Sequence, residues 1–278
     1  MYCKLTFASW LVGLLVFCSR SGSAQFLENF CGHSREGLDP NAVGPWTAVL
    51  HYSGRIVCLG TLIHERFILT AAHCGDSGGF LKVRLGEYGR VGSEVAEDYT
   101  VSAFIKKRNF NPESQANSIG LVKLIRSVEY KEHIRPVCIL LDSRMQTLAD
   151  ELDYFTGTAW MHWDRKLSSK SVDRMPQACG SLVKSQFCAG KKDLESCEEP
   201  SGSALTHQIN YIGPNRTVQF GIANLIETNC SISRVYTDVV SLSQWIGMVV
   251  NSQNTNDGID EPPMTSHLRE LRFNTKRN

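Results

Sequence analysis

The chain has 278 residues, of which 42% are hydrophobic and 21% are charged, with a formal net charge of +1. A chain of this length can bury a full core without repeats, and it fits one or two domains. Because the net charge is near zero, the electrostatic field of the whole protein is too weak to predict nucleic acid or an anionic membrane as the partner. We therefore expect the protein to recognise a partner through a local surface.

The first 24 residues predict a secretory signal peptide. Lys4 precedes an apolar run over residues 5–17, and small residues follow and end at Ala24. This arrangement is typical of a signal that is cleaved after Ala24. A membrane anchor is the alternative, but the run is shorter than the ~20 residues that span hydrocarbon. We therefore expect a soluble, secreted, extracellular chain that can form disulfides.

The cysteines predict disulfide bridges. Of the ten cysteines, Cys3 and Cys18 lie in the predicted signal, which leaves an even number. A zinc site is the alternative, but no Cys-x-x-Cys pair occurs and the expected compartment is oxidising. Composition alone leaves the pairing open among Cys31, Cys58, Cys74, Cys138, Cys179, Cys188, Cys197 and Cys230.

Short apolar runs separated by turn residues predict strands along most of the chain. In the first half the runs are 46–50, 56–62, 67–70, 81–85, 101–105 and 119–124. After Asp142 the pattern resumes at 154–160, 187–189, 204–206, 218–223 and 235–236. Strands at this spacing favour an antiparallel barrel or sandwich, and the second series predicts a second sheet unit.

A helix is predicted to close the folded part. Apolar residues recur at helical spacing at Val239, Leu242, Trp245, Ile246 and Val249. Beyond them the chain is polar, with adjacent prolines and scattered charge, which favours disorder. The expected organisation is a signal peptide (1–24), an amino-terminal segment with the first barrel (25–140), a second barrel with the closing helix (141–250) and a disordered tail (251–278).

The sequence TAAHC at 70–74 places His73 at the end of a predicted strand beside a cysteine. It resembles the TAAHC motif of the trypsin-like (chymotrypsin-fold) serine peptidases. Further similarities to that family are RPVC at 135–138, FCAG at 187–190, VYT at 235–237 and QWI at 244–246. The resemblance implies an all-β fold of two antiparallel Greek-key six-stranded barrels packed together, with a C-terminal α-helix. It also implies that His73 occupies the general-base position.

The catalytic positions depart from the family pattern. Such catalysis needs a hydroxyl, an imidazole and a buried carboxylate. The resemblance places Ser201 at the nucleophile position, but Ser118 stands where the family has its aspartate. A serine cannot stabilise the imidazolium that forms, and loss of the carboxylate costs ~10⁴-fold in a serine protease.

The oxyanion hole and the activation switch are altered as well. Glu199 replaces the glycine whose N–H would face the oxyanion, and one such donor is worth ~3 kcal/mol of barrier. Pro200 replaces the aspartate that pairs with the new amino terminus in the family. No Ile-Val-Gly-Gly-like sequence precedes Pro45, and cleavage after Arg35 would expose Glu36, a charged residue unsuited to an apolar pocket.

The specificity pocket is predicted to be filled by the protein itself. The resemblance places Glu195 at the pocket base and Arg234 where a glycine is usual, so the two side chains can pair inside the pocket. Leu225 and Ile226 replace part of the wall that pairs with substrate backbone. The alternative is that Glu195 and Arg234 both point outward into solvent.

The resemblance also implies bridges, a modification and a metal loop. The implied bridges are Cys31–Cys138, Cys58–Cys74, Cys179–Cys188 and Cys197–Cys230. Asn215 opens an Asn-Arg-Thr glycosylation sequon. Glu87, Glu94 and Glu97 have spacings similar to the calcium loop of trypsins, and oxygen ligands suit Ca²⁺; a solvated acidic loop is the alternative.

Together these departures predict a secreted, non-catalytic serine protease homologue. We expect a monomer that acts as a binding protein, decoy or cofactor in an extracellular protease cascade, with no cofactor other than the Ca²⁺ above. Its expected partners are secreted proteins, such as active serine proteases or their substrates. One alternative is a weak or atypical endopeptidase that uses His73 and Ser201, because ~10³ to 10⁴-fold catalysis over water persists without a full triad. Another is a purely structural secreted glycoprotein.

Overall fold

Antiparallel strands dominate the computed structural model, which describes residues 26–33, 42–76, 81–87, 94–161, 166–191, 200–210, 215–224 and 233–257. The first closed barrel has the strand order β1-β2-β3-β6-β5-β4. Its strands are β1 (Thr47–Tyr52), β2 (Arg55–His64), β3 (Phe67–Thr70), β4 (Lys82–Leu85), β5 (Glu97–Lys106) and β6 (Gly120–Leu124).

A second closed barrel follows with the order β10-β11-β12-β9-β8-β7. Its strands are β7 (Tyr154–Met161), β8 (Lys166–Arg174), β9 (Gln186–Gly190), β10 (Ala204–Asn210), β11 (Asn215–Ala223) and β12 (Ser233–Asp238). Two α-helices, α1 (Gln146–Asp150) and α2 (Ser243–Asp257), and three short 3₁₀ helices complete the described chain. The predicted fold of two six-stranded barrels with a C-terminal helix is confirmed.

The sequence pattern missed β8. Only Leu167 and Val172 are buried in this strand, and its other described side chains are partly or fully exposed. An apolar run predicts a strand only where at least one continuous face of that strand is buried. A strand that is mostly exposed to solvent is therefore missed.

Each barrel has its own core. Leu50, Leu69 and Tyr99 are fully buried in the first barrel, and Phe155, Phe220 and Tyr236 are at most 1% exposed in the second. The two cores fix the strand ends that carry the candidate site.

Helix α2 packs on the first barrel and is longer than predicted. Ile246 and Val250 join the core of that barrel. The expected disordered tail from residue 251 is wrong for residues 251–257, which continue the helix to Asp257. Apolar spacing marks only the buried turns of a helix, and the polar residues that continue it carry no such signal. Residues 258–278 lie outside the described residues.

Residues 26–33 are fastened to the segment between the two barrels and to the second barrel. The N–H groups of Leu27 and Gly32 donate to Ile139 and Pro136, at 3.0 and 2.8 Å. Thr217 of β11 donates its N–H to Gly32 at 2.9 Å. The predicted signal peptide lies outside the described residues.

Three disulfides stabilise this arrangement. The bridges Cys31–Cys138, Cys58–Cys74 and Cys179–Cys188 are all formed, as predicted. The fourth predicted bridge, Cys197–Cys230, lies outside the described residues. Within the described ranges, no helix is both long and apolar enough to cross a membrane.

Candidate active site

His73 lies on the 3₁₀ helix Ala72–Gly75, directly after β3. Its Nε2 atom is 4.0 Å from the Sγ atom of Cys58 and 3.8 Å from that of Cys74. Its Nδ1 atom is buried and has no hydrogen-bond partner among the described residues. In a working triad this nitrogen donates to the buried carboxylate.

Ser118, which precedes β6, is fully buried. Within the part of the chain that the structure describes, its Oγ atom has no hydrogen-bond partner. Its backbone carbonyl accepts a hydrogen bond from Thr237 Oγ1 at 3.1 Å, and the same hydroxyl lies 2.7 Å from Asn224 Oδ1. The buried polar cluster at the carboxylate position therefore contains no ionised group among its described members.

Ser201 lies at the start of the tight turn that leads into β10. Its backbone carbonyl accepts from the N–H of Leu59 at 2.9 Å, which joins this turn to β2 of the first barrel. Gly202 has a φ of +82°, and a Cβ there would lie 2.2 Å from the Leu59 carbonyl oxygen. Only glycine fits this close approach, which fixes the backbone of the turn that follows Ser201.

The Ser201 hydroxyl does not reach the imidazole. It donates to the backbone carbonyl of Asn224 at 3.2 Å. Arg234 on β12 donates through Nη2 to the same carbonyl. The guanidinium predicted to fill the specificity pocket therefore lies beside the nucleophile position.

The electrostatic setting of His73 opposes protonation. Burial lowers the pKa of His73 to about 4, and the positive charges of Arg234 and Lys106 act in the same direction, with Asp76 opposing them. Lys106 forms an ion pair with Asp76. A general base has to take up a proton, so each of the lowering effects weakens this imidazole as a base.

Several predicted site residues lie outside the described residues: Glu195, Leu225 and Ile226 of the pocket, and Glu199 of the oxyanion hole. The predicted Arg234–Glu195 pair therefore stays a prediction. Asn215 is exposed at the start of β11. Exposure is what a glycosylated asparagine requires, and its glycosylation remains a prediction.

The predicted calcium loop carries its own counter-charges. Glu87 is buried and accepts a hydrogen bond from Arg84 Nε. Glu97 accepts from Lys131 and, at 3.0 Å, from the hydroxyl of Tyr99, and these donors lower its pKa. Glu94 is exposed. A calcium ion at this loop would have to displace both ion pairs, and its presence stays a prediction.

Sequence reasoning missed the role of Thr237 and of the Asn224 backbone. The sequence marks Thr237 only through the VYT similarity, and it gives no signal for the Asn224 backbone. A threonine at an inward-facing strand position does not by itself indicate a functional site, because most such threonines are structural. The link appears only when the ends of β11 and β12 are placed next to Ser118.

Comparisons with known proteins agree with this geometry. The family model described as Trypsin matches residues 36–246. "Serine protease grass" of Drosophila melanogaster is 32% identical over 73% of this chain and 63% of its own length. "CLIP domain-containing serine protease B15" of Anopheles gambiae is 27% identical over 74% of this chain and 66% of its own length.

A solved structure is similar throughout most of the fold. It is entitled "Crystal structure of drosophila Grass clip serine protease of Toll pathway", with a TM-score of 0.72 and 26% identity. The match covers 82% of this chain and 76% of that one. This chain spans slightly less than two thirds of the length of each of the two relatives named above.

Proposed function

Because this chain belongs to the trypsin family, whose chemistry needs a hydroxyl, an imidazole and a buried carboxylate, we propose that it is a non-catalytic member that binds proteins without cleaving them. The observation that carries the proposal is the site around His73. Its Nδ1 atom has no partner, and the residue at the carboxylate position is the buried hydroxyl of Ser118. The imidazole consequently lacks the group that would fix its tautomer and stabilise its charged form.

The nucleophile position supports the same conclusion. Attack on a carbonyl requires that Ser201 pass its proton to His73. In this site the Ser201 hydroxyl donates to Asn224, and the lowered pKa of His73 makes the imidazole a weak acceptor. Glu199 in place of the family glycine brings a carboxylate to the position of an oxyanion donor, and Pro200 in place of the family aspartate removes the activation partner.

An extracellular protease cascade is the proposed setting. The solved relative carries "Toll pathway" in its title, and two further relatives are named as CLIP-domain serine proteases. Three disulfides fit an oxidising compartment. We infer that the partners are active proteases of such a cascade or their substrates, bound by a surface that keeps the protease shape.

The competing function is weak serine hydrolysis. Its support is specific: His73 and Ser201 are both present, and the turn at Gly202 keeps a backbone that only glycine allows. A triad without its carboxylate retains some rate enhancement.

Labelling with a fluorophosphonate separates the two functions. Purified mature protein and Ser201→Ala are treated side by side, with active trypsin as the positive control. We expect equal, background labelling of the two proteins and no peptide hydrolysis by either. Labelling or turnover that is lost in Ser201→Ala would overturn the proposal in favour of the hydrolase.

A further inference from the structure

The acidic loop between β4 and β5 is surrounded by cations that the protein itself supplies. The family resemblance implies that Glu87, Glu94 and Glu97 hold a calcium ion here. A calcium site needs converging ligands, because Ca²⁺ takes about six to eight oxygens. Within the described ranges, only one group of three potential metal ligands is close enough to share an ion, and it contains none of these glutamates. Residues 88–93 of the loop lie outside the described residues.

Glu87 already has a counter-charge. Its side chain is 0% exposed and accepts a hydrogen bond from Nε of Arg84 on β4. Arg84 also donates through Nη1 to Asp98 of β5, at 3.2 Å. One guanidinium therefore pairs with two carboxylates at the base of the β4–β5 hairpin. A buried carboxylate requires such a partner, because an unpaired charge away from water is very costly.

Glu97, at the start of β5, is paired through both of its carboxylate oxygens. Lys131, from the segment between the barrels, donates to Oε1. The hydroxyl of Tyr99 donates to Oε2 at 3.0 Å, and Nη2 of Arg126 lies 3.7 Å from the same oxygen. The guanidinium of Arg126 also lies over the Tyr99 ring, 4.1 Å from its centroid. A metal ion bound to Glu97 would therefore lie close to two positive charges.

We propose that Arg84 and Lys131 take the structural place of the calcium ion that the family resemblance implies, so that internal ion pairs hold this loop and it binds no Ca²⁺. A calcium ion at the two glutamates would be repelled by the guanidinium and the ammonium group. Its binding would also cost both ion pairs, one of which involves a buried carboxylate. The proposal goes beyond the proposed function and is independent of it, because the loop shares no residue with the catalytic positions.

Thermal unfolding of the full mature chain tests whether the loop binds calcium. The melting temperature is measured in millimolar CaCl₂, in MgCl₂ and in EDTA at equal ionic strength. We expect the three values to agree to within about 1 °C, whereas an ion at about 100 times its Kd would raise the melting temperature by about 5 °C or more. Calorimetric titration with CaCl₂ should show no saturable heat. A calcium-specific rise in the melting temperature would overturn the proposal.

A double-mutant cycle tests the structural role of the buried ion pair. Arg84→Met leaves the Glu87 carboxylate without its cation and should lower the melting temperature by about 6–20 °C. Adding Glu87→Met removes the buried charge and should recover at least about half of this loss. Additive losses in the cycle would overturn the proposal.

Arg144→Met is the matched control for the loss of an arginine from an ion pair. Arg144 pairs with Asp142, but its side chain is 87% exposed, so its loss should lower the melting temperature by less than about 4 °C. A loss in Arg84→Met no larger than in Arg144→Met would also overturn the proposal. The calcium measurement on the wild type needs no variant and decides the question if Arg84→Met does not fold.

Discussion

The hydroxyl of Ser201 donates its hydrogen bond to the backbone carbonyl of Asn224, at 3.2 Å. Arg234 donates to the same carbonyl from β12. The predicted nucleophile and a residue of the predicted specificity pocket thus share one acceptor. Burial lowers the pKa of His73, and Arg234 lowers it further. Arg234 therefore bears on the residues at two of the three predicted catalytic positions.

Restoring the carboxylate alone should not restore hydrolysis. In Ser118→Asp, the new carboxylate can pair with His73 Nδ1, so the pKa of His73 should rise. Turnover of peptide esters should nevertheless stay at background, because Glu199 and Pro200 still alter the oxyanion hole. NMR titration of His73 serves as the control that the carboxylate is engaged. Robust Ser201-dependent hydrolysis by this single variant would contradict the expectation.

The imidazole of His73 should stay neutral at physiological pH. Its pKa is lowered to about 4 by burial and by Arg234. Long-range ¹H–¹⁵N NMR should show neutral His73 down to about pH 5, given this value. Arg234→Gln should raise the pKa, whereas Arg144→Gln, on the exposed 3₁₀ helix Ser143–Met145, should not change it. Equal pKa values in wild type and Arg234→Gln would show that the arginine does not act on His73.

The same lowered pKa makes stability depend on pH. The pKa of His73 is lower in the folded state than its ordinary value of 6.5, so protons bind the unfolded state preferentially. The stability that comes from neutral His73 is full above pH 6.5 and is lost as the pH falls from 6.5 towards 4. Wild type should therefore lose stability more steeply across this window than His73→Gln, as measured by urea unfolding. Parallel pH profiles would argue against a lowered pKa.

The nucleophile turn should tolerate no side chain at Gly202. A Cβ there would lie 2.2 Å from the Leu59 carbonyl oxygen and 2.3 Å from Thr70 Oγ1. Gly202→Ala should cost the ~1–3 kcal/mol of a positive φ and a further amount for the clash. Gly180 is the matched control, because it has a φ of +70° but no atom within 4 Å of its Cβ position. Equal losses in Gly202→Ala and Gly180→Ala, measured by urea unfolding, would show that contact with Leu59 is unimportant.

Benzamidine should not bind the wild-type protein. It mimics an arginine side chain, and the guanidinium of Arg234 already lies beside Ser201, where it would repel a second cation. Arg234→Gly removes this cation and is the variant in which binding can appear. Calorimetric titration checks both proteins. Binding to wild type with trypsin-like affinity would show that the pocket is open.

The sequence predicted the barrels because eleven of the twelve strands overlap an apolar run, and β8 was missed because Leu167 and Val172 are isolated apolar residues in it. Motif order likewise predicts catalytic positions for His73, Ser118 and Ser201, and these assignments stay predictions. It does not predict their hydrogen bonds, because the acceptor of the Ser201 hydroxyl is a backbone carbonyl of another strand end. The type of a residue does not show whether its backbone carbonyl accepts a side-chain hydrogen bond. Asn224 and Thr237 come close to Ser118 only through the register of β11 and β12.

The hydroxyl of Ser118 should contribute nothing to stability. It is fully buried and its Oγ atom has no hydrogen-bond partner, so the folded protein bears its desolvation cost without compensation. Ser118→Ala removes the unpaired oxygen and leaves only a small void, and the free energy of unfolding should stay equal or rise by up to about 1 kcal/mol. Thr237→Val is the matched control, because the Thr237 hydroxyl is also fully buried but lies within hydrogen-bond distance of the Ser118 carbonyl and Asn224 Oδ1. Its near-isosteric loss should cost about 1–3 kcal/mol, since the buried acceptor of its single proton is left unpaired. Urea unfolding of both variants decides the matter. If Ser118→Ala lost as much free energy of unfolding as Thr237→Val, the Ser118 hydroxyl would be hydrogen-bonded in solution. The site would then contain a hydrogen-bond partner for the serine that stands at the position of the catalytic carboxylate.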